Sequence, residues 1–205
     1  MSLDAVLVDL GNVLVRWQWR AALDGVLTDE EAQRFFVEAD FPAVNRRLDA
    51  GQPWDDAIAA LTARDPWLGE VLTLYRARYR LSLTGPVPGM AELVGDLRAA
   101  GLRLVGLTNW SAEMWSHAAT AGPVIGMPDG VVVSGIEGVA KPDPRIFRIA
   151  AERYGLVPER TLFTDDHAPN VAAAAGLGFQ AVRFTGADAL RRELAGRGVP
   201  VAAAP

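Results

Sequence analysis

The sequence contains no cysteine, and this absence removes two classes of site. Neither a disulfide nor a thiolate metal centre can form without a thiol. Histidine is scarce as well: there are two, neither at a spacing typical of metal ligands, and neither forms a convincing triad with a nucleophilic serine. Any metal site in this chain is therefore expected to be built from oxygen ligands.

Basic patches and long apolar runs are also lacking. The formal net charge is −5, and no cluster of Lys and Arg is interleaved with aromatic residues, so nucleic acid is not an expected partner. No apolar run reaches the roughly 18 residues needed to span a bilayer. The first residues, MSLDAVLV, carry no basic segment of the kind that opens a signal peptide. We expect a cytoplasmic protein with no membrane partner.

Five short apolar runs are present. Runs of this length that are continuously apolar, rather than alternating, are typical of strands in a parallel sheet covered on both faces. The predicted strands are residues 5–8, 102–107, 130–133, 161–164 and 180–184. Three stretches of helical periodicity, each closed by glycine, alternate with the later strands: MAELVGDLRAAG, PRIFRIAAERYG and APNVAAAAGLG. This alternation predicts an α/β fold with a doubly wound parallel sheet.

The interval between the first two predicted strands breaks this alternation. It contains three stretches of helical spacing, EEAQRFFVEA, WDDAIAAL and WLGEVLTLYRARY, and no convincing strand. GPVPG, at 85–89, then returns the chain to the sheet through a stiff, non-helical link. We predict an α/β core domain from 1–15 and 86–199, an inserted small all-helical cap domain from 16–85, and a frayed tail at 200–205.

Polar side chains stand after the predicted strands. In open α/β sheets, ligands bind at the carboxyl ends of the strands, near the point where the strand order reverses. We therefore expect these side chains to meet at one edge of the sheet. In chain order they are Asp9, Thr108, Asn109, Lys141, Asp165 and Asp166.

Carboxylates that converge repel one another unless a cation lies between them, and oxygen ligands favour a hard ion such as Mg²⁺. The ion would hold one oxygen of a phosphate, Thr108 and backbone N–H groups would bind the others, and Lys141 would offset the remaining charge. Asp9 would then be placed to attack phosphorus and form an aspartyl-phosphate. The pattern predicts Mg²⁺-dependent chemistry on a phosphate ester.

Four segments resemble, in order and spacing, the four motifs of the haloacid dehalogenase-like (HAD) hydrolase superfamily: VLVDLGNVLV, VGLTNWS, GVAKPDPRIF and TLFTDDHAPNV. The resemblance covers nearly the whole chain, with 16–85 in the place of that family's small helical cap. It implies that Asp9 is the nucleophile and a metal ligand, and that Lys141 steadies the nucleophile and the phosphoryl charge.

The same resemblance implies roles for the other strand-end residues. Thr108 would bind the phosphoryl group, with Asn109 beside it. Asp166 would be a metal ligand, and Asp165 either a ligand or an orienting partner. The structural alternatives are that Asp9 and Thr108 cap helices and that Lys141 is a solvated loop residue.

The first motif departs from most phosphatases of the superfamily at Gly11. Those enzymes have a second aspartate there, which protonates the leaving group and gives its backbone carbonyl to the metal. Gly11 keeps the carbonyl but supplies no acid, and general acid catalysis is worth ~10²–10⁴-fold. Esters with good leaving groups would suffer least, and DLGNV is similar to the first motif of a branch that includes sugar-phosphate phosphatases. His167 is a weaker candidate for a replacement acid.

Two other functions stay open. HAD dehalogenases also lack an acid at the second position and use their aspartate on carbon without a metal, which makes 2-haloacid dehalogenation the sharpest alternative. The intact pair Asp165 and Asp166 favours a metal, and hence phosphate. The second alternative is a non-catalytic protein that binds a phosphate ligand.

Aromatic and basic residues near the motifs are candidates for contact with substrate. Trp17 and Trp110 follow the first and second motifs directly, whereas Trp54, Trp67 and Trp115 lie on helical spacings typical of interior packing. Arg46 and Arg47 either reach an anionic substrate from the insertion or form a solvated helix face. We expect the substrate to be a small phosphorylated metabolite and the protein to be a monomer or a homodimer.

Overall fold

A five-stranded sheet forms the centre of the computed structural model, which describes residues 3–202. The strands in chain order are β1 (Ala5–Val8), β2 (Val15–Trp17), β3 (Leu83–Pro86), β4 (Arg103–Thr108), β5 (Gly130–Val133), β6 (Thr161–Asp165) and β7 (Gln180–Arg183). The large sheet is parallel throughout, in the order β5-β4-β1-β6-β7. The α/β doubly wound prediction is confirmed, and each of its five predicted strands agrees with the observed one to within one residue at either end.

The strand order reverses at β1, which therefore lies between β4 and β6. Val8, its last residue, is in register with Gly106 on one side and Thr164 on the other. All four side chains of β1 are buried, as expected for a central strand with both faces covered. The residue that follows β1 consequently stands next to the carboxyl ends of both neighbouring strands.

Helices flank the sheet and fill the interval between β2 and β3. In chain order they are α1 (Asp29–Glu38), α2 (Phe41–Asp49), α3 (Trp54–Arg64), α4 (Pro66–Ala77), α5 (Met90–Ala99), α6 (Ser134–Glu137), α7 (Pro144–Tyr154), α8 (Ala168–Gly176) and α9 (Ala187–Gly196). Asp40 separates α1 from α2: its backbone is left-handed, and its side chain accepts a hydrogen bond from Ala43 N at the start of α2. None of the helices in residues 3–202 is long and apolar enough to cross a membrane.

Two strands lie where no strand was predicted, and that expectation was wrong. β2 and β3 pair antiparallel, with Val15 opposite Pro86 and Trp17 opposite Leu83. Each has only three or four residues and is partly exposed, so neither produces the continuous apolar run that identified the other strands. The two connections between the sheet and α1–α4 therefore run side by side as one ribbon.

Helices α3 and α4 are held against the loop that follows β4. The indole Nε1 of Trp54 donates a 2.8 Å hydrogen bond to Ser111 Oγ, and its backbone N donates to Glu113 at 3.0 Å. Glu113 also pairs with Arg76 of α4 at 2.6 Å. Trp54 is almost completely buried, so this contact is part of the hydrophobic core. The boundaries of the two predicted domains stay a prediction.

The tail differs from the expectation that 200–205 is frayed. Ala202 N donates to Asp96 Oδ2, and its carbonyl accepts from Arg191 at 3.1 Å. Val201 packs against the core. Residues 200–202 are therefore attached to α5 and α9, while 203–205 lie outside the described residues.

Candidate active site

Lys141 links two carboxylates at the carboxyl edge of the sheet. Its Nζ lies 2.8 Å from Oδ1 of Asp9 and 2.7 Å from Oδ2 of Asp165, and it donates to the carbonyl of Leu107 at 2.8 Å. All three side-chain groups are buried, so these ion pairs are shielded from solvent. Burial acts to lower the pKa of Lys141, but Asp9 and Asp165 outweigh it, and its pKa lies above the ordinary value.

Asp9 follows β1 directly. Its Oδ1 accepts from Leu10 N at 2.7 Å in addition to Lys141, and its own N donates to Thr164 O at 3.0 Å. Desolvation raises the pKa of Asp9 to about 7. Lys141 opposes that shift, whereas the nearby charges of Asp165 and Asp166 add to it. The pKa of Asp9 is therefore set in part by nearby charges, and a bound cation would change it.

Asp165, the last residue of β6, has both carboxylate oxygens engaged. Oδ1 accepts from His167 N at 2.8 Å, Oδ2 accepts from Lys141, and Asn170 Nδ2 lies 3.0 Å from each oxygen. These bonds fix the side chain completely. The arrangement favours the orienting role for Asp165 over direct ligation.

Asn109 fixes the backbone at Lys141. Its Nδ2 donates to the carbonyl of Lys141 at 2.9 Å, and its Oδ1 accepts from Lys141 N at 2.8 Å. Asn109 thereby sets the position of Lys141, whose side chain contacts Asp9.

One carboxylate oxygen from each of Asp9, Asp165 and Asp166 lies within 4.8 Å of the other two. Burial, followed by the charge of Asp165, raises the pKa of Asp166, which is the more exposed of the three. Oxygen ligands at this spacing suit a hard cation such as Mg²⁺. A Cβ at Gly11, which lines the same cavity, would have no neighbour within 4 Å.

Thr108 is the last residue of β4. The residue is buried, yet its Oγ1 has no hydrogen-bond partner among the described residues. A buried hydroxyl without a partner costs ~1–3 kcal/mol, so such groups generally have a ligand or a function. The same is true of the indole Nε1 of Trp110. Both are hydrogen-bond donors, and Trp110 also lines the cavity.

A cavity of about 550 Å³ lies at this edge of the sheet; Thr108 and Asp165 stand behind its lining and are not part of it. Its floor contains Asp9, Gly11, Asn109, Lys141 and Asp166. Its walls are largely aromatic, and their residues are Trp17, Trp19, Phe36, Phe41, Tyr79 and Trp110. The structure therefore places Trp17 and Trp110, the two tryptophans expected to contact substrate, on the cavity wall.

The other tryptophans lie where interior packing was expected, whereas Arg46 and Arg47 differ from each other. Trp54 is buried, and Trp67 and Trp115 pack partly buried against the core, which confirms interior packing. Arg46 lines the cavity, whereas Arg47 is exposed and donates to Gln52 on the surface.

Asp49, at the end of α2, also lines the cavity, and the sequence reasoning missed it. Burial raises its pKa to about 7. A hydrogen bond from the Ser111 backbone opposes that shift, and the charge of Asp9 adds to it. A signal was present: an acid in the last turn of a helix is disfavoured by the helix dipole. The position of that helix over the sheet was not readable from the sequence.

The chain matches a family model along most of its length. Residues 3–178 match the model described as haloacid dehalogenase-like hydrolase. The chain belongs to the haloacid dehalogenase-like hydrolase family. The resemblance in the four motifs is thereby confirmed, and the protein is a HAD hydrolase.

Curated relatives include phosphatases and dehalogenases. A phosphatase of Mycobacterium tuberculosis is 28% identical over 88% of this chain and 87% of its own length. The (S)-2-haloacid dehalogenase 4A of Burkholderia cepacia is 31% identical over 47% of this chain and 42% of its own. The Mus musculus protein named acyl-CoA dehydrogenase family member 10 is 32% identical over 55% of this chain. The alignment covers only 10% of that mouse protein, and under half of the Burkholderia enzyme.

Solved structures share the fold. The HAD family enzyme bt-2542 of Bacteroides thetaiotaomicron, in complex with magnesium and inorganic phosphate, has a TM-score of 0.67 and 21% identity over 90% of this chain and 94% of its own. The L-2-haloacid dehalogenase of Xanthobacter autotrophicus, with chloropropionic acid covalently bound, has a TM-score of 0.65 and 22% identity over 99% and 85%. At these identities the likeness establishes the fold alone.

Proposed function

We propose that this HAD hydrolase is a Mg²⁺-dependent phosphatase that cleaves a small phosphate monoester through an aspartyl-phosphate on Asp9. The observation that carries the proposal is the group of three carboxylates, Asp9, Asp165 and Asp166, with oxygens within 4.8 Å of one another. A dehalogenase that uses an aspartate on carbon has no need of such a cluster. Lys141 pairs with Asp9 and Asp165, but among the described residues no Lys or Arg forms an ion pair with Asp166, and converging carboxylates are costly without a further cation.

The donor set fits a hard divalent ion. Asp9 and Asp166 would hold Mg²⁺ together with the backbone carbonyl of Gly11, while Asp165 keeps its bonds to Lys141 and Asn170. When bound, Mg²⁺ would supply positive charge to the phosphoryl oxygens. The crystal structure of bt-2542 with magnesium and phosphate supports this choice of ion for the fold.

The remaining residues bind and orient the phosphoryl group. The unpartnered hydroxyl of Thr108 would donate to one phosphoryl oxygen, and Lys141 would balance negative charge on the others. Lys141 also holds Oδ1 of Asp9, which fixes the direction from which the carboxylate attacks. Attack on phosphorus forms the aspartyl-phosphate and releases the alcohol. Water then hydrolyses the intermediate and frees Asp9 and phosphate.

The cavity supports a small substrate. About 550 Å³ suits a metabolite, and aromatic walls stack on the apolar face of a sugar or on an aromatic ring. Trp110 adds an indole N–H without a partner in the described residues, which would donate to a substrate oxygen. We propose a phosphorylated metabolite, with a sugar phosphate as the first class to test, acted on in the cytoplasm by a monomer or homodimer.

The test is phosphate release from para-nitrophenyl phosphate with Mg²⁺, followed by a panel of phosphorylated metabolites. We expect turnover that EDTA abolishes and added Mg²⁺ restores. Asp9→Asn removes the nucleophile and should abolish turnover, while Asp56→Asn, an exposed acid on α3, is the matched control and should retain it.

Two results would contradict the proposal in different ways. Halide release from a 2-haloacid that persists in EDTA would identify a dehalogenase. Binding of inorganic phosphate without turnover of any ester would identify a non-catalytic phosphate-binding protein.

A further inference from the structure

The cavity contains a carboxyl, Asp49, to which the reaction proposed above gives no role. Asp49 is the last residue of α2, and it lines the same cavity as Asp9, Gly11 and Lys141. No arginine or lysine forms an ion pair with Asp49 among residues 3–202. An acid in this place, left without a cationic partner, calls for an explanation.

The backbone of Asp49 is anchored to the sheet side of the cavity. Its carbonyl accepts from Ser134 Oγ, and the same hydroxyl oxygen accepts from Trp110 N at 2.9 Å. Gly135 allows the loop after β4 to approach Ser134, because a Cβ there would meet Ala112 N at 2.4 Å. The side chain is steadied by Asn45 Nδ2, which donates to Oδ2 at 2.8 Å. Asp49 is therefore a fixed element of the cavity, although it belongs to a helix of the insertion.

We infer that Asp49 is the general acid of this enzyme and supplies, from the insertion, the proton that Gly11 cannot supply from the first motif. This inference rests on the proposed phosphatase function. Gly11 and Asp49 line one cavity, so the function of the missing side chain passes to another residue of the same cavity.

Asp49 acts first as an acid and then as a base. As an oxygen of Asp9 forms its bond to phosphorus, the bond from phosphorus to the ester oxygen breaks, and the Asp49 carboxyl gives its proton to that oxygen. The alcohol leaves neutral, and Asp49 becomes a carboxylate. Asp49 then accepts a proton from the attacking water, whose oxygen bonds to phosphorus as Asp9 is released.

The environment of Asp49 suits a proton donor near neutral pH. Burial raises its pKa to about 7, so a large fraction of the carboxyl is protonated at pH 7. The titratable groups that face the cavity from the core are Asp9, Lys141, Asp166 and His167. Those that face it from the insertion are Arg46 and Tyr79. Burial raises the pKa of Tyr79, and the charges of Tyr75 and Asp49 add to that shift.

His167 is the competing donor, and it is less well placed. It lines the cavity, but it is exposed, and its backbone N–H rather than its ring is what bonds to Asp165. Asp49, in contrast, has a fixed carboxyl with a raised pKa. The two donors are distinguished by parallel variants, Asp49→Asn and His167→Gln.

The experiment compares two esters that both carry an aromatic leaving group: para-nitrophenyl phosphate, whose leaving group departs without protonation, and benzyl phosphate, whose leaving group requires it. With Mg²⁺, Asp49→Asn should lower kcat for benzyl phosphate roughly 100-fold or more and change kcat for para-nitrophenyl phosphate little. His167→Gln and the exposed control Asp56→Asn should affect neither ester selectively. Gly11→Asp, added to Asp49→Asn, should restore benzyl phosphate turnover, because position 11 has room for a side chain.

A second measurement uses the wild-type protein alone and does not depend on the folding of any variant. Turnover of benzyl phosphate should decline as pH rises through about 7, the pKa of Asp49, relative to turnover of para-nitrophenyl phosphate. Equal losses for both esters in Asp49→Asn, or parallel pH profiles in the wild type, would overturn the inference and leave the phosphatase intact. Failure of the wild type to hydrolyse either ester would overturn the phosphatase itself, and the inference with it.

Discussion

The side chain of Asn109 and the backbone of Lys141 form two reciprocal hydrogen bonds, of 2.9 and 2.8 Å, across 32 residues of sequence. Asn109 follows the strand next to β1, so the pair ties two separate loops together at the edge of the sheet. The position of Lys141 Nζ against Asp9 depends on this connection.

Asn109→Ala should therefore lower kcat without unfolding the protein. Loss of both bonds frees the backbone at Lys141, and residues that orient a catalytic group in this way are worth roughly 10–100-fold in activity. The measurement is steady-state kinetics on para-nitrophenyl phosphate, with circular dichroism to verify the fold. An unchanged kcat would mean that Lys141 is positioned by its ion pairs alone.

Thr108→Val should separate stability from function. The buried hydroxyl has no partner in the described residues, so its replacement by a methyl group of similar shape should raise the free energy of unfolding by up to about 1 kcal/mol. The same change removes a phosphoryl donor and should lower kcat/KM by roughly 10–100-fold. Thr164→Val is the matched control, because Thr164 is equally buried and its hydroxyl is equally unpartnered. If both variants lose activity alike, the Thr108 hydroxyl has no special function.

Asp49→Asn should stabilise the protein above neutral pH. Burial raises the pKa of Asp49 from 3.8 to about 7, so the folded state binds its proton more tightly than the unfolded state does. Stability then falls as pH rises from about 4 to 7, and levels off above that. The variant, which has no charge to bury, should exceed the wild type by an amount that grows across this window, to the order of 2–4 kcal/mol. Chemical denaturation at pH 4 and pH 8 without Mg²⁺ measures it, and a difference independent of pH would count against the raised pKa.

Trp54→Phe should loosen the insertion from the sheet. The change leaves an aromatic ring in the core but removes the hydrogen bond to Ser111 Oγ, which costs ~1–3 kcal/mol when the remaining group is buried. We expect a lower Tm and a smaller effect for Trp67→Phe, because Trp67 is only partly buried. Equal shifts would show that the contact between Trp54 and Ser111 does not stabilise the fold.

The strands of the sheet could be predicted because burial on both faces leaves a simple pattern. β1 and β4 are continuous apolar runs that end in Asp9 and Thr108, and parallel strands bring such ends together. The positions of Asn109, Lys141, Asp165 and Asp166 followed from the same rule. β2 and β3 were missed because their three or four residues are stabilised by pairing with each other rather than by apolar content.

Asp49 could not be predicted by the same reasoning. No rule of strand order places it, since its position depends on how α2 packs against Ser134 and Gly135. The sequence letters NRRLDAG place an acid at a helix end, but they do not show which surface that helix end faces. Contacts between the insertion and the core arise from tertiary packing, which periodicity does not encode.

The ribbon of β2 and β3 has a mechanical consequence. Both passages of the chain between the sheet and α1–α4 lie in one narrow pair of strands, so a rotation of these helices relative to the sheet would pivot there. Trp17 belongs to this pivot and to the cavity wall at once. A change in the angle of the ribbon would therefore move Trp17, and with it one wall of the cavity, while the bond from Ser134 to Asp49 holds the end of α2 in place.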